Sequence, residues 1–82
     1  MERLKSSQKV VGLKQSRQAV IAGKAELVFV AEDADAWMME PFLALCREHG
    51  IQVVPVSSKK ELAKACRVEV PAACAAILGK NA

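Results

Sequence analysis

Apolar positions along this 82-residue chain fall into short runs that alternate between two periods. Val10-Val11 is a brief apolar step that ends at Gly12. Leu13 to Ala22 follows without a helix breaker and is closed by Gly23, a residue suited to a helix C-terminus, so this stretch predicts a helix. Leu27-Val28-Phe29-Val30-Ala31 is continuous, rich in β-formers and bounded by charge, as a central strand buried on both faces would be. Asp35 then stands as the N-cap of a helix whose apolar residues Trp37, Met38, Phe42, Leu45 and Cys46 recur at helical spacing until Gly50. Pro41 lies inside that pattern. Its missing amide donor and its clash with the carbonyl four residues back predict a kink or a two-part helix.

Ile51 to Val56 reads as the next strand, with Pro55 placing it near an edge or at a strand end. Ser57 or Ser58 opens a helix through Leu62 and Ala65. Val68 to Pro71 is a loop, because Pro71 pushes Val70 towards an extended conformation. Ala72 to Leu78 gives a last apolar strand. Strands alternating with helices over short connections imply an α/β fold, a three-layer α/β/α sandwich with a central mixed four-stranded sheet. A chain of this length builds one core, so residues 1–82 are read as a single domain.

With 52% apolar and only 4% aromatic residues, the core must come mostly from Val, Ile, Leu and Ala. No apolar run is long enough to cross a bilayer, and Met1-Glu2-Arg3-Leu4-Lys5 lacks the apolar stretch of a secretion signal. The expectation is a soluble cytoplasmic protein without a membrane partner. Cys46, Cys66 and Cys74 are odd in number and form no CxxC, so they match neither a disulfide framework nor a zinc ribbon. Buried thiols are one reading. The other is a metal site built on the ligand spacing of Cys46 and His49, completed by Cys66 and Cys74, although the spacing of the last two does not suit a zinc knuckle.

Charge is segregated along the chain. Residues 1–24 carry Arg3, Lys5, Lys9, Lys14, Arg17 and Lys24 against Glu2, and residues 57–82 carry Lys59, Lys60, Lys64, Arg67 and Lys80 against Glu61 and Glu69. Residues 25–56 set six acids against Arg47 alone. If the two basic segments meet in the fold they make a positive patch of the kind a nucleic-acid binder presents; if not, they are a solvated surface of mixed charge.

Catalytic equipment is lacking. The four glycines are isolated and form neither GxGxxG nor a phosphate-cradling loop. His49 is the single histidine and stands near a helix end with no nucleophile beside it in sequence. Ser57-Ser58-Lys59-Lys60 matches S-x-x-K, but the companion motifs of those acyl enzymes are missing. Asp33 and Asp35 read either as a metal or acid pair beyond a strand end or, at less cost, as one helix cap and one solvated carboxylate. The chain is therefore read as a non-enzyme, with no cofactor and no small-molecule substrate.

The helix after Gly12 presents unpaired backbone N–H groups and a positive dipole end, and its first turns carry Lys14, Gln15, Arg17 and Gln18. Lysine and arginine suit phosphates, while a carboxamide both donates to and accepts from base edges. A plain amphipathic helix shows the same periodicity, so both readings stand on pattern alone.

Taken in order, Gly12-Leu13-Lys14-Gln15, Leu27 to Asp35, Leu45-Cys46-Arg47-Glu48-His49-Gly50-Ile51, Val56-Ser57-Ser58-Lys59 and Val68-Glu69-Val70-Pro71-Ala72-Ala73 resemble the kink-turn-binding ribosomal-protein family, the L7Ae and L30e group. The resemblance covers nearly the whole chain and suits the small stand-alone bacterial members. It implies an α/β/α domain that recognises kinked RNA with sheared G·A pairs beside a bulge. The helix start at Gly12 and Leu13 would be part of the RNA-binding surface and would insert Lys14 and Gln15 against the G·A pairs. Val68, Glu69, Val70 and Pro71 would pack on the flipped-out bulge nucleotide, Lys59 would touch the RNA backbone, and Asp35 falls where the family has an acidic buttress. Two departures are visible. Gln18, beside Arg17, stands where the family usually has a phosphate-binding lysine, and Arg67 stands where it commonly has a helix-terminating glycine. If Arg67 is left-handed it carries a strain of roughly 1 kcal/mol.

The implied activity is binding and stabilising kink-turn RNA, on the ribosome or on a regulatory RNA. A protein-interaction module that uses the Val68–Pro71 loop as its docking patch is the rival reading on the same fold.

Overall fold

The computed structural model of the chain describes residues 8–79. In chain order the elements are β1 (Lys9–Val11), α1 (Leu13–Ile21), β2 (Ala25–Ala31), α2 (Ala36–Glu48), β3 (Gln52–Val56), α3 (Lys59–Cys66) and β4 (Cys74–Leu78). The strands form one mixed sheet in the order β1-β4-β2-β3. β4 runs antiparallel to both of its neighbours, whereas β2 and β3 are parallel. The last strand in sequence is thus wedged between the first two. Pro55 lies on β3, an edge strand, where a missing amide donor costs the ladder least.

Side chains alternate across the sheet and build two cores. Phe29, Ala31, Val56, Ala75 and Ile77 meet Leu62, Ala63, Ala65 and Cys66 of α3 on one face. Val28, Cys74 and Ala76 meet Ala19 and Val20 of α1 and Met39, Phe42 and Cys46 of α2 on the other. Ala25 and Val28, three residues apart, share that second face because the β2–β4 register shifts between Ala25 and Leu27. The Cys-Ala-Ala-Ile sequence of central β4 is small, which lets helices approach both of its sides. The three-layer α/β/α sandwich expected from the alternation of elements is what forms.

Two details of α2 differ from the expectation. Trp37 and Met38 are not core residues: they are 85% and 58% exposed. At about 100° per residue Trp37 sits about 160° around the helix from Met39. The stripe Met39, Phe42 and Cys46, spaced three and four apart, faces the sheet instead. Nor does Pro41 divide the helix, which runs unbroken from Ala36 to Glu48. Pro41 is on the exposed side, where the carbonyl of Trp37, deprived of the proline's amide, is open to water rather than buried.

The caps follow the sequence closely. Asp35 accepts the Trp37 N–H at 3.0 Å, and Ser58 accepts the Glu61 N–H at 3.0 Å. Arg67 closes α3 in the left-handed conformation at φ 62°, ψ 38°, the only described non-glycine residue with positive φ. Among the described residues no helix is long and apolar enough to cross a membrane.

Candidate nucleic-acid interface

Four stretches far apart in the chain converge on one end of the sheet. The Gly12 N–H donates to the Cys74 carbonyl at 2.8 Å, which seats the start of α1 beside the start of β4. One residue earlier, the Ala73 carbonyl accepts the N–H of Ala31 at 2.9 Å, holding the loop before β4 against the end of β2. The Ala72 N–H reaches the Lys59 carbonyl at 3.4 Å. Lys59 in turn donates its own N–H to the Asp33 carboxylate at 2.7 Å. The α1 start, the loop after β2, the α3 start and the Val68–Pro71 loop therefore form one connected surface.

The α1 start carries no side-chain cap and no acid in its first turn. Gly12 adopts φ 99°, ψ 158°, a conformation that a side chain would strain. What remains at this pole is a set of backbone donors with the positive end of the helix dipole, flanked by exposed Lys14, Gln15, Arg17 and Gln18 and half-buried Leu13. Ser16, on the inner side, is fully buried, and its hydroxyl has no hydrogen-bond partner among the described residues. Gln15 and Gln18 line one groove with Val10, Ala19, Ala22, Lys24 and Leu78, which runs from the α1 start towards the other end of the sheet.

Across this surface the loop displays Val70, 68% exposed, with Glu69 and Pro71 also exposed and Val68 packed partly on the α3-side core. A groove of about 540 Å³ runs between the loop and α3, lined by Lys60, Ala63, Lys64, Val68, Glu69 and Pro71. Asp35 is engaged as the cap of α2. Its neighbour Asp33 is no idle solvated carboxylate, as the sequence reading had it, but the acceptor that anchors α3. Sequence reasoning passed over Asp33 because its partner is 26 residues away; a short helix opening at Ser58-Lys59 with spare N–H groups was the available hint.

Of the basic positions, Lys14, Arg17 and Lys59 lie around the α1 and α3 starts, while Lys24 sits at the opposite end, beside Gly79. Arg3, Lys5 and Lys80 lie outside the described residues.

The thiols do not form a site. Cys46 and Cys74 share the core under α1 and α2, whereas Cys66 lies in the core on the other side of the sheet. Burial pushes all three thiols up, Cys74 to about 11, with the Ser16 hydroxyl opposing and nearby Cys46 adding to the rise. They stay protonated and unreactive near neutrality. Among the described residues no group of three or more His, Cys, Asp or Glu is placed to hold a metal ion. His49 caps the end of α2.

Comparison with known proteins places this geometry in context. Residues 1–82 match the model of the ribosomal protein L7Ae/L30e/S12e/Gadd45 family. An RNA-binding protein of Geobacillus thermodenitrificans is 43% identical over 75 residues, covering 92% of each chain. RNA-binding protein YbxF of Geobacillus stearothermophilus is likewise 43% identical over 92% of each chain. Among solved structures, the 15.5kD RNA binding protein of Giardia lamblia superposes with a TM-score of 0.83 at 31% identity, over 98% of this chain and 67% of that one.

Proposed function

This chain belongs to the ribosomal protein L7Ae/L30e/S12e/Gadd45 family, and from that premise we propose that it binds and stabilises kink-turn RNA without catalysis. The observation that carries the reading is the convergence just described. An uncapped helix start bearing Lys14 and Gln15, the start of α3 at Lys59, and the exposed loop of Val68, Glu69, Val70 and Pro71 are held on one surface by three backbone hydrogen bonds and one from the Lys59 N–H to the Asp33 carboxylate. Separated, these pieces are generic; joined, they present donors, cations and an apolar loop side by side.

Regular A-form RNA hides its base edges in a deep, narrow groove, so proteins read kinks, bulges and unstacked bases. Gly12 brings the backbone of Leu13 and Lys14 close, and the Gln15 carboxamide both donates and accepts, which suits the exposed edges of sheared G·A pairs. Val70 and Pro71 offer an apolar rest for a nucleobase that has left the stack. Arg17, Gln18 and Lys59 supply charge and donors to the backbone, and Asp35 keeps α2 squared against the same surface. Both sheet faces are covered by helices, which leaves no open sheet on which bases stack in the manner of an RRM.

The mechanism is conformational selection. A surface that fits only the kinked form shifts a flexible RNA towards it in proportion to the difference in affinity. Association with ribosomal or regulatory RNA in the cytoplasm belongs to the same proposal, as does the view that residues 1–82 act as one unit.

The test is a titration of labelled kink-turn RNA against a variant lacking the G·A pairs, at two salt concentrations. Tight binding and folding of the intact motif alone supports the proposal. Equal, weak, salt-sensitive binding of both RNAs overturns it and favours the protein-docking reading, for which the exposure of Val70 would serve equally well.

A further inference from the structure

The outer side of α3 presents a row of cations that the helix start does not need. Lys60 and Lys64 are exposed and one turn apart, an arrangement in which like charges repel and weaken a helix by a few tenths of a kcal/mol. Arg67 closes the helix three residues later, also exposed. Among the described residues none of the three is held in an ion pair.

Arg67 is the more telling position. Its left-handed backbone, φ 62°, is one that glycine adopts freely and arginine does not. Helices are most often closed at such a site by glycine. An arginine here gives up stability for a side chain, and the side chain is in solvent, so the return is sought outside the fold.

Lys60 and Lys64 also line the groove of about 540 Å³ whose other wall is Val68, Glu69 and Pro71. The groove opens directly beside the surface already described, because Lys59 is tied to Ala72 and Asp33. Its acids are few. Glu69 is in the wall, and Glu61 lies about 100° around the helix from Lys60 and about 60° from Lys64, so three cations stand against two acids along the row.

We propose that Lys60, Lys64 and Arg67 form a second phosphate-binding edge, along which the RNA backbone continues past the Val68–Pro71 loop. This rests on the RNA reading above and extends it from the α1 side of the sheet to the α3 side. A backbone leaving the loop has phosphates at regular spacing, and a row of cations one helical turn apart neutralises successive ones. The apolar wall of Val68 and Pro71 covers the sugar side of the same strand.

Each phosphate contact contributes about 0.7 to 0.9 to the slope of log affinity against log salt. The experiment measures that slope for the intact chain, for Lys60→Ala/Lys64→Ala, for Arg67→Gly and for Lys24→Ala, which removes a cation at the opposite end. Kink-turn RNA is the probe, and thermal melting checks that each variant is folded.

The double substitution should reduce the slope by about 1.4 to 1.8 and weaken binding roughly tenfold at 0.15 M salt. Arg67→Gly should bind more weakly while melting higher, and Lys24→Ala should leave the slope unchanged. An unaltered slope in the double variant, or a loss no greater than that of Lys24→Ala, overturns the proposal. Failure of the intact chain to distinguish kinked from unkinked RNA would instead strike at the function proposed above. The two failures are read from different curves.

Discussion

The Asp33 carboxylate accepts the backbone N–H of Lys59 at 2.7 Å, joining residues 26 apart in the chain. Through this one bond the turn after β2 fixes the start of α3, and the Ala72 N–H donates to the carbonyl of the same Lys59. A carboxylate that satisfies a helix-start N–H does the work of a cap from a distant segment.

Asp33→Ala should therefore cost roughly 1 kcal/mol of stability, as loss of a cap does, and should also loosen RNA binding by releasing the α3 start. Urea unfolding and an RNA titration check both effects. Unchanged affinity alongside reduced stability would show that the bond matters to the fold alone.

Gln15 and Lys59 should separate specificity from affinity. Gln15→Ala is expected to weaken binding to kinked RNA while leaving binding to an unkinked duplex nearly intact. Lys59→Ala should weaken both and lower the salt slope by about 1. Parallel losses on both RNAs from both changes would remove the assigned roles.

Arg67→Gly should raise stability by about 1 kcal/mol through relief of the left-handed backbone, an increase of several degrees in melting temperature for a domain of this size. A lower melting temperature would mean that the Arg67 side chain makes contacts in the fold that offset its strain.

The buried Cys74 thiol sets an alkaline limit. Its folded value is pushed to about 11 from an ordinary 9.0, so the native state holds the proton after the unfolded chain has released it. Stability from this source is intact below about pH 9 and falls as pH rises towards 11, by on the order of 2 kcal/mol. Cys46 and Cys66 are shifted in the same direction. Denaturation midpoints at pH 8 and pH 10.5 measure the loss, and Cys74→Ala should show less of it. An equal loss in that variant would assign it to other groups.

Leu62 is fully buried at the centre of the α3-side core. Truncation to alanine should cost about 2 to 5 kcal/mol, enough to threaten a small domain, whereas Val70→Ala, out in solvent, should leave the melting temperature nearly unchanged and show its effect on RNA alone.

Much of the architecture was legible because it rests on local chemistry. The continuous run Leu27–Ala31, the cap at Asp35, the opening of α3 at Ser58 and the extended Val70-Pro71 step each carry their instruction within a few residues. The failures were of another kind. Trp37 is apolar at a helical position, yet which arc of α2 faces inward depends on the sheet beneath it, and Met39 takes that place. Asp33 looked idle because its partner lies far along the chain. The candidate site shares both features: its members are visible one at a time, but their meeting depends on β4 passing between β1 and β2. Nothing local announces that passage.

That passage also orders events in time. β1 and β2 are not neighbours in the sheet and have no edge to share until β4 fills the gap between them, so with only its first three strands in place the chain can pair β2 with β3 but leaves β1 without a partner. Gly12 awaits Cys74, and Ala31 awaits Ala73. The candidate interface is thus completed only when β4 is in place, because its two anchoring bonds both end on the approach to that strand.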